Sequence, residues 1–131
     1  MESTEYGNAV IIDEVTVLPV APPGASAAVV YDRPIGLRLL HEEPETGEEH
    51  YLVRYPAGAQ CRLHEHSAAH TIIVLQGKLD ANGQIIGPGA YAHFPARQPM
   101  RHQPAGDEDC LFVLLFHGPF DVRVIETESS R

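Results

Sequence analysis

The sequence predicts an all-β barrel or sandwich, and three observations carry that prediction. From Tyr51 onward, short β-prone runs alternate with Gly, Pro or Asn punctuation, the spacing of a many-stranded β domain. No stretch longer than about ten residues keeps the apolar spacing of an amphipathic helix. The 11 prolines and 11 glycines interrupt every candidate. With 131 residues, 44% of them hydrophobic, the chain fits one domain spanning 1–131 and cannot fill two independent cores.

Taken in order, Met1–Asn8 and Glu126–Arg131 are polar ends expected to fray. Val10–Leu18 is β-branched enough to read as a strand that Pro19 ends. Pro22-Pro23-Gly24 and Asp32-Arg33-Pro34 mark loops, since proline disfavours helix in the residue before it. Gly36–His41 and Glu49–Tyr55 read as strands around the acidic turn Glu42–Glu48. Asn82-Gly83 is the preferred dipeptide of a type I′ hairpin and pairs Lys78–Ala81 with Gln84–Ile86. Thr71–Leu75 and Cys110–Phe116 are apolar on both alternating sets of positions, so each needs cover on both faces, from a second layer, the N-terminal segment or a partner subunit. A homodimer is therefore expected.

The charge balance excludes several partners. Nine basic residues against 18 acidic ones leave a formal charge of −9, and the basic residues are scattered, so neither nucleic acid nor an anionic membrane surface is an expected partner. The longest apolar run, Leu111–Phe116, is far below the roughly 20 residues that cross a bilayer. Cys61 and Cys110 allow at most one disulfide, and the N-terminus lacks a basic segment leading into an apolar run. A cytoplasmic location is the expectation.

Eight histidines is an excess, and it is clustered, with His64, His66 and His70 in one short segment. Residues two apart on a strand share a face, so His64 and His66 aim two imidazoles at one point while Glu65 faces away. Ser67-Ala68-Ala69 suits a tight connection, after which His70 opens the next strand and brings a third nitrogen. A further ligand has to arrive from a distant segment. His102, just before the apolar strand Cys110–Phe116, is the first choice and His93 the rival. Such a donor set suits zinc, iron, copper or nickel and disfavours magnesium and calcium.

Other positions have two readings. Arg62 shares parity with His64, so it either points into the barrel, where it would steer a carboxylate or enolate, or is turned outward by a bulge near Gly58. His93 shares a face with Tyr91 and fits a core or supporting role as well as a ligand's. Phe112 and Phe116 are core residues with the parity to line one cavity wall. His41, His50 and His117 read as structural or exposed, Asp107-Glu108-Asp109 as a solvated loop, and Cys61 has the wrong parity to ligate beside His64. The pocket candidates are thus Arg62, His93, Phe112 and Phe116.

The run Gly58-x5-His64-x-His66-x3-His70-x6-Gly77 resembles the first motif of the cupin superfamily at every spacing, with His70 where that family usually has glutamate. Gly89-x5-Pro95 followed by His102 is similar to the second motif, more loosely. The likeness covers about Tyr51–Phe116 and implies a double-stranded β-helix, a jelly-roll barrel, with a metal ion inside on His64, His66, His70 and His102. His70 either ligates or hydrogen-bonds a metal-bound water or another ligand.

Two branches of the superfamily are similar in wording. Tyr55-Pro-Ala-Gly58, Val74-Leu75-Gln76-Gly77 and Gly87-Pro88-Gly89 are similar to the cupin domain of zinc-binding anti-sigma factors. Leu39-Leu40-His41 with Pro44-Glu45-Thr46, the loop from Pro95 to His102, and Phe116-His117-Gly118-Pro119 are similar to acetylacetone-type dioxygenases, which use ferrous iron on three histidines. Replacing a carboxylate ligand by neutral imidazole leaves a more positive centre that binds anions better. The resemblance therefore implies an iron-dependent dioxygenase for a small β-diketone or hydroxy-ketone. The alternatives are a non-catalytic zinc- or ligand-binding sensor, or an isomerase or lyase, with Fe2+, Zn2+ or Ni2+ as the ion. Because free imidazole titrates near pH 6.5, metal affinity is expected to fall as the pH drops below about 6.5.

Overall fold

The hairpin encoded by Asn82-Gly83 is present: in the computed structural model, Leu79, Asp80 and Ala81 pair with Ile86, Ile85 and Gln84. Asn82 and Gly83 take φ values of 51° and 93°, the two positive angles that a type I′ turn requires. The structure describes residues 6–20 and 30–125. The expected loop at Pro22-Pro23-Gly24 and the end segments 1–5 and 126–131 lie outside the described residues.

Among the described residues, ten strands follow a 3-10 turn at Val15–Val17. In chain order they are β1 (Gly36–Glu42), β2 (Glu49–Tyr55), β3 (His64–Glu65), β4 (His70–Gln76), β5 (Lys78–Ala81), β6 (Gln84–Ile86), β7 (Tyr91–Phe94), β8 (His102–Ala105), β9 (Cys110–Phe116) and β10 (Arg123–Val124). They form a five-stranded sheet ordered β1-β2-β9-β4-β7, a three-stranded sheet β6-β5-β8 and a β10-β3 pair. All pairings are antiparallel. This is the all-β jelly-roll that the sequence predicts.

Strand alternation decides what reaches the interior. Val53 and Tyr55 on β2, His70, Ile72 and Val74 on β4, Phe94 on β7, and Cys110, Phe112, Leu114 and Phe116 on β9 are buried and face one core, together with Leu79 and Met100. The opposite parity of β9, Val113 and Leu115, is half-buried and lines a cleft of about 520 Å³ under the N-terminal residues Asn8, Val10, Ile12 and Val15. The N-terminal segment thus supplies part of the outer cover that these doubly apolar strands need.

One irregularity matters for the histidines. Leu39 pairs with Tyr51, but the next pair is His41 with His50, so Leu40 is an extra residue on β1. A bulge of this kind reverses parity, and His41 joins His50 on the outside of the sheet. Gly77 marks the crossing from β4 to β5: its φ is +77°, and a Cβ there would sit 2.2 Å from the Asp109 carbonyl oxygen. Only glycine fits.

The expected strand Val10–Leu18 is not formed. The segment is coil with the Val15–Val17 turn, and Val10, Ile11 and Val17 are exposed. The segment lies over the sheet face at Val113 and Leu115 and, among the described residues, pairs with no strand, and without a ladder partner β propensity alone does not make a strand. Both cysteines are free and buried. Among the described residues no helix is long and apolar enough to cross a membrane.

Candidate metal centre

Three segments deliver four imidazoles to one end of the core. His64 is pinned by reciprocal backbone hydrogen bonds with Met100 (3.0 and 2.8 Å) and pairs with Val124 of β10. Glu65 faces away and binds Arg123 at 2.8 Å. His66 lies just past β3, its carbonyl accepting the Arg97 amide at 2.8 Å. After the Ser67–Ala69 turn, His70 is the first residue of β4, and His102 the first of β8. His64, His66, His70 and His102 are all buried.

The rings form a closed quadrilateral. Centroids are 4.9 Å apart for His64–His66, 5.0 Å for His66–His70, 5.5 Å for His70–His102 and 6.0 Å for His102–His64. An imidazole bound through one nitrogen at about 2.0–2.1 Å holds its centroid roughly 3.2 Å from the ion, so rings 90–120° apart stand roughly 4.5–5.6 Å from each other. Three of the four edges fall in that range and the fourth is slightly wider. Among the described residues no three His, Cys, Asp or Glu side chains already converge as a finished donor cluster. Small ring rotations would redirect the nitrogens onto one ion while leaving the backbone in place.

Hydrogen bonding selects the nitrogen left for an ion. His64 Nδ1 lies 2.7 Å from the Arg62 carbonyl oxygen, His66 Nδ1 makes a short contact to the Asp121 carbonyl oxygen, and His102 Nδ1 is 2.7 Å from the Tyr55 hydroxyl. Each partner engages Nδ1 and leaves Nε2 as the nitrogen available to an ion, as outer partners of metal-bound histidines do. His70 differs: sandwiched between Phe94 (4.8 Å, stacked) and Phe116 (4.8 Å), neither of its nitrogens has a hydrogen-bond partner among the described residues. An orphaned buried imidazole is costly. A divalent transition ion is the group that would satisfy it, so the residues fit one.

Electrostatics keep the set neutral. Burial pushes His64 down to about 4 and His70 to about 2, and it lowers His66 and, strongly, His102, whose neighbouring histidines add to the effect. Burial also raises the Tyr55 and Tyr31 phenols well above their ordinary value and the Cys61 thiol to about 11, so Cys61 is a neutral thiol beside His64 rather than a thiolate donor. Asp121 is held below the usual carboxylate range by the Ser67 hydroxyl and amide, and it braces the His66–Ser67 turn from 54 residues away.

A cavity of about 50 Å³ adjoins the cluster. His64, His66 and His102 form its polar end, and Ile35, Leu37, Val53, Leu114, Phe116 and Val122 are among its apolar walls. Of the four pocket candidates, Phe116 lines it; Phe112 is fully buried behind Tyr55 and does not. Two corrections concern polar candidates. Arg62 is exposed, since its carbonyl rather than its side chain turns to His64, and His93 is exposed on the outer face, bonded to Thr71. Tyr55, Tyr31 and Asp121 were not singled out from sequence. Tyr55 was within reach, because it shares the inward parity of Val53; Asp121 was not, because nothing local ties it to His66.

The comparisons establish the family and the fold. The ChrR cupin-like domain family matches residues 25–121, and the chain belongs to that family. A provisionally assigned acetylacetone dioxygenase from Methylibium petroleiphilum PM1 superposes with a TM-score of 0.72 at 18% identity, over 98% of this chain and 88% of that one. An acetylacetone dioxygenase from Acinetobacter johnsonii gives 0.69 at 18% identity, over 100% and 85%. A cupin-like protein from Thermotoga maritima gives 0.67 at 21% identity, over 86% and 92%. At such identities the superpositions establish the fold. No curated protein sequence matches.

Proposed function

We propose that the barrel binds one divalent transition-metal ion through His64, His66, His70 and His102 and acts as an iron-dependent dioxygenase on a small β-diketone or hydroxy-ketone. The observation that carries the metal reading is the ring of four buried, neutral imidazoles, one of which has no other partner. Ferrous iron with only neutral ligands would supply a strongly Lewis-acidic centre with open positions for an enolate and dioxygen.

The chain's own residues would do the rest. The Arg62 and Asp121 carbonyls hold the His64 and His66 rings with Nδ1 protonated, and the Tyr55 hydroxyl orients the His102 ring. The aliphatic and Phe116 walls exclude water and accept a hydrocarbon body, leaving the polar end of a substrate to the histidines. Among the described lining residues there is no carboxylate, which suits an anionic enolate. The test is oxygen uptake by iron-loaded protein across a panel of β-diketones and α-hydroxyketones. Substrate-dependent uptake is expected, and none across the panel would overturn the catalytic reading.

The match to the ChrR cupin-like family favours a second reading, a zinc-binding sensor without catalysis. Tag-free protein purified with one tightly held zinc and inert after iron exchange would select it.

A further inference from the structure

The other four histidines gather on the outside of the five-stranded sheet. Glu48, in the turn before β2, places one carboxylate oxygen, Oε2, 3.1 Å from His50 Nε2 and 3.5 Å from His117 Nδ1. His41, turned outward by the β1 bulge, sets its ring 5.5 Å from that of His50 at a tilt of 51° and has its own carboxylate, Glu43, at 3.1 Å. All five side chains are about a third to a half exposed.

We infer that Glu48, His50 and His117 form a second, solvent-facing binding site for a divalent transition-metal ion, with His41 beside it as a fourth donor. Donors held at about 2.0–2.2 Å from one ion stand roughly 2.9–3.5 Å from each other, and both separations to Glu48 lie in that interval. The His41–His50 ring spacing equals that of His70 and His102 inside the barrel. Among the described residues these donors do not already converge as a finished cluster, so binding an ion requires their partly exposed side chains to rotate.

A second observation points the same way. The far nitrogen of His117, Nε2, lies 2.8 Å from the Thr71 hydroxyl, whose oxygen is also 2.9 Å from His93 Nδ1. Thr71 is 4% exposed and rigid in the middle of the sheet. The Thr71 contact holds the His117 ring with Nδ1 toward Glu48, and the tautomer in which Nε2–H donates to Thr71 leaves Nδ1 open to an ion. This is the outer-partner arrangement that orients metal-bound histidines. Glu48 itself is held below the ordinary carboxylate range, first by the His50 hydrogen bond, so it stays ionised as a ligand. The net charge of −9 concentrates cations at such an exposed site. Imidazole with one carboxylate selects zinc, nickel or copper over calcium or magnesium.

The test titrates Zn2+ into chelator-treated, tag-free full-length protein by calorimetry, comparing wild type with His50→Ala/His117→Ala, Glu48→Gln and His64→Ala/His66→Ala. Wild type should take up two equivalents. His50→Ala/His117→Ala should lose one and keep the other, Glu48→Gln should weaken the same one at least tenfold, and His64→Ala/His66→Ala should retain it. If His50→Ala/His117→Ala takes up as much zinc as wild type, or if wild type takes up a single equivalent that only His64→Ala/His66→Ala removes, the outer site is refuted. A single wild-type equivalent lost only in His50→Ala/His117→Ala would uphold it while sinking the barrel reading. Circular dichroism of each variant separates lost ligation from lost fold.

Discussion

The same sheet carries histidines on both faces, and the two sets live under opposite physical rules. Inside, His64, His66, His70 and His102 are buried among Phe94, Phe112 and Phe116 and are pushed toward neutrality; three have a carbonyl or a phenol as partner and His70 has none among the described residues. Outside, His41, His50 and His117 are partly exposed and paired with the carboxylates of Glu43 and Glu48. Burial makes the inner set a stability burden that an ion relieves. The outer set is solvated with or without one, and its exposed contacts to carboxylates contribute little. The contrast teaches that histidine count says nothing about a site until the dielectric on each side of the strand is known.

The largest test of that contrast is His64→Ala/His66→Ala. Removing two of four inner donors should weaken barrel metal binding at least about a thousandfold, given some 10–100-fold for loss of a mere outer partner. Unchanged stoichiometry at the tight site, by elemental analysis of gel-filtered protein, would erase the distinction between the faces.

Acid should act on the inner face first. His64 and His70 have folded values near 4 and 2, below the unfolded value near 6.5, so the unfolded chain binds more protons in that interval. The metal-free barrel is therefore fully stable above about pH 6.5 and loses stability as the pH falls from there toward about 4, by a few kcal/mol at roughly 1.4 kcal/mol per unit. Metal competition in the folded state shifts to more acid pH than free imidazole implies, below the 6.5 expected from sequence. Thermal melts of metal-free wild type from pH 7.5 to 4.5 should show the fall, and the same slope should persist in His50→Ala/His117→Ala. A flat profile would mean that the inner rings are hydrated.

His70 allows a test by sign. His70→Leu removes two orphaned nitrogens while keeping apolar contact with Phe94 and Phe116. It should stabilise the metal-free protein by about 1–3 kcal/mol and lower metal affinity tenfold or more. Denaturation with chelator present, beside zinc calorimetry, reads both; a variant less stable without metal would show that the ring is satisfied in some other way.

Tyr55→Phe deletes the hydroxyl that holds His102 and contacts Tyr31. Metal affinity should fall about 10–100-fold with the barrel intact. The smallest effect belongs outside: His50→Ala should change stability by no more than about 0.5 kcal/mol, in contrast to any inner-face substitution.

Much of this was legible in advance, and the reason is periodicity. Strands β2, β4, β5, β6 and β9 follow from alternation and turn chemistry, and Asn82-Gly83 fixes a register by itself. The segment Val10–Leu18 misled because its composition is local while a strand is a pairing.

What the sequence alone determined about the site is that His64, His66 and His70 come together, since strand geometry and a three-residue turn leave little choice. Tertiary structure decided the rest. His102, not His93, completes the ring because β8 starts its pairing at Ala81 while β7 points His93 outward. Arg62 faces solvent, Asp121 braces His66 across 55 residues, and a one-residue bulge in β1 carries His41 to the outer face. Such outcomes depend on which distant strands pair and where a ladder slips, and those are properties of the closed sheet rather than of any segment within it.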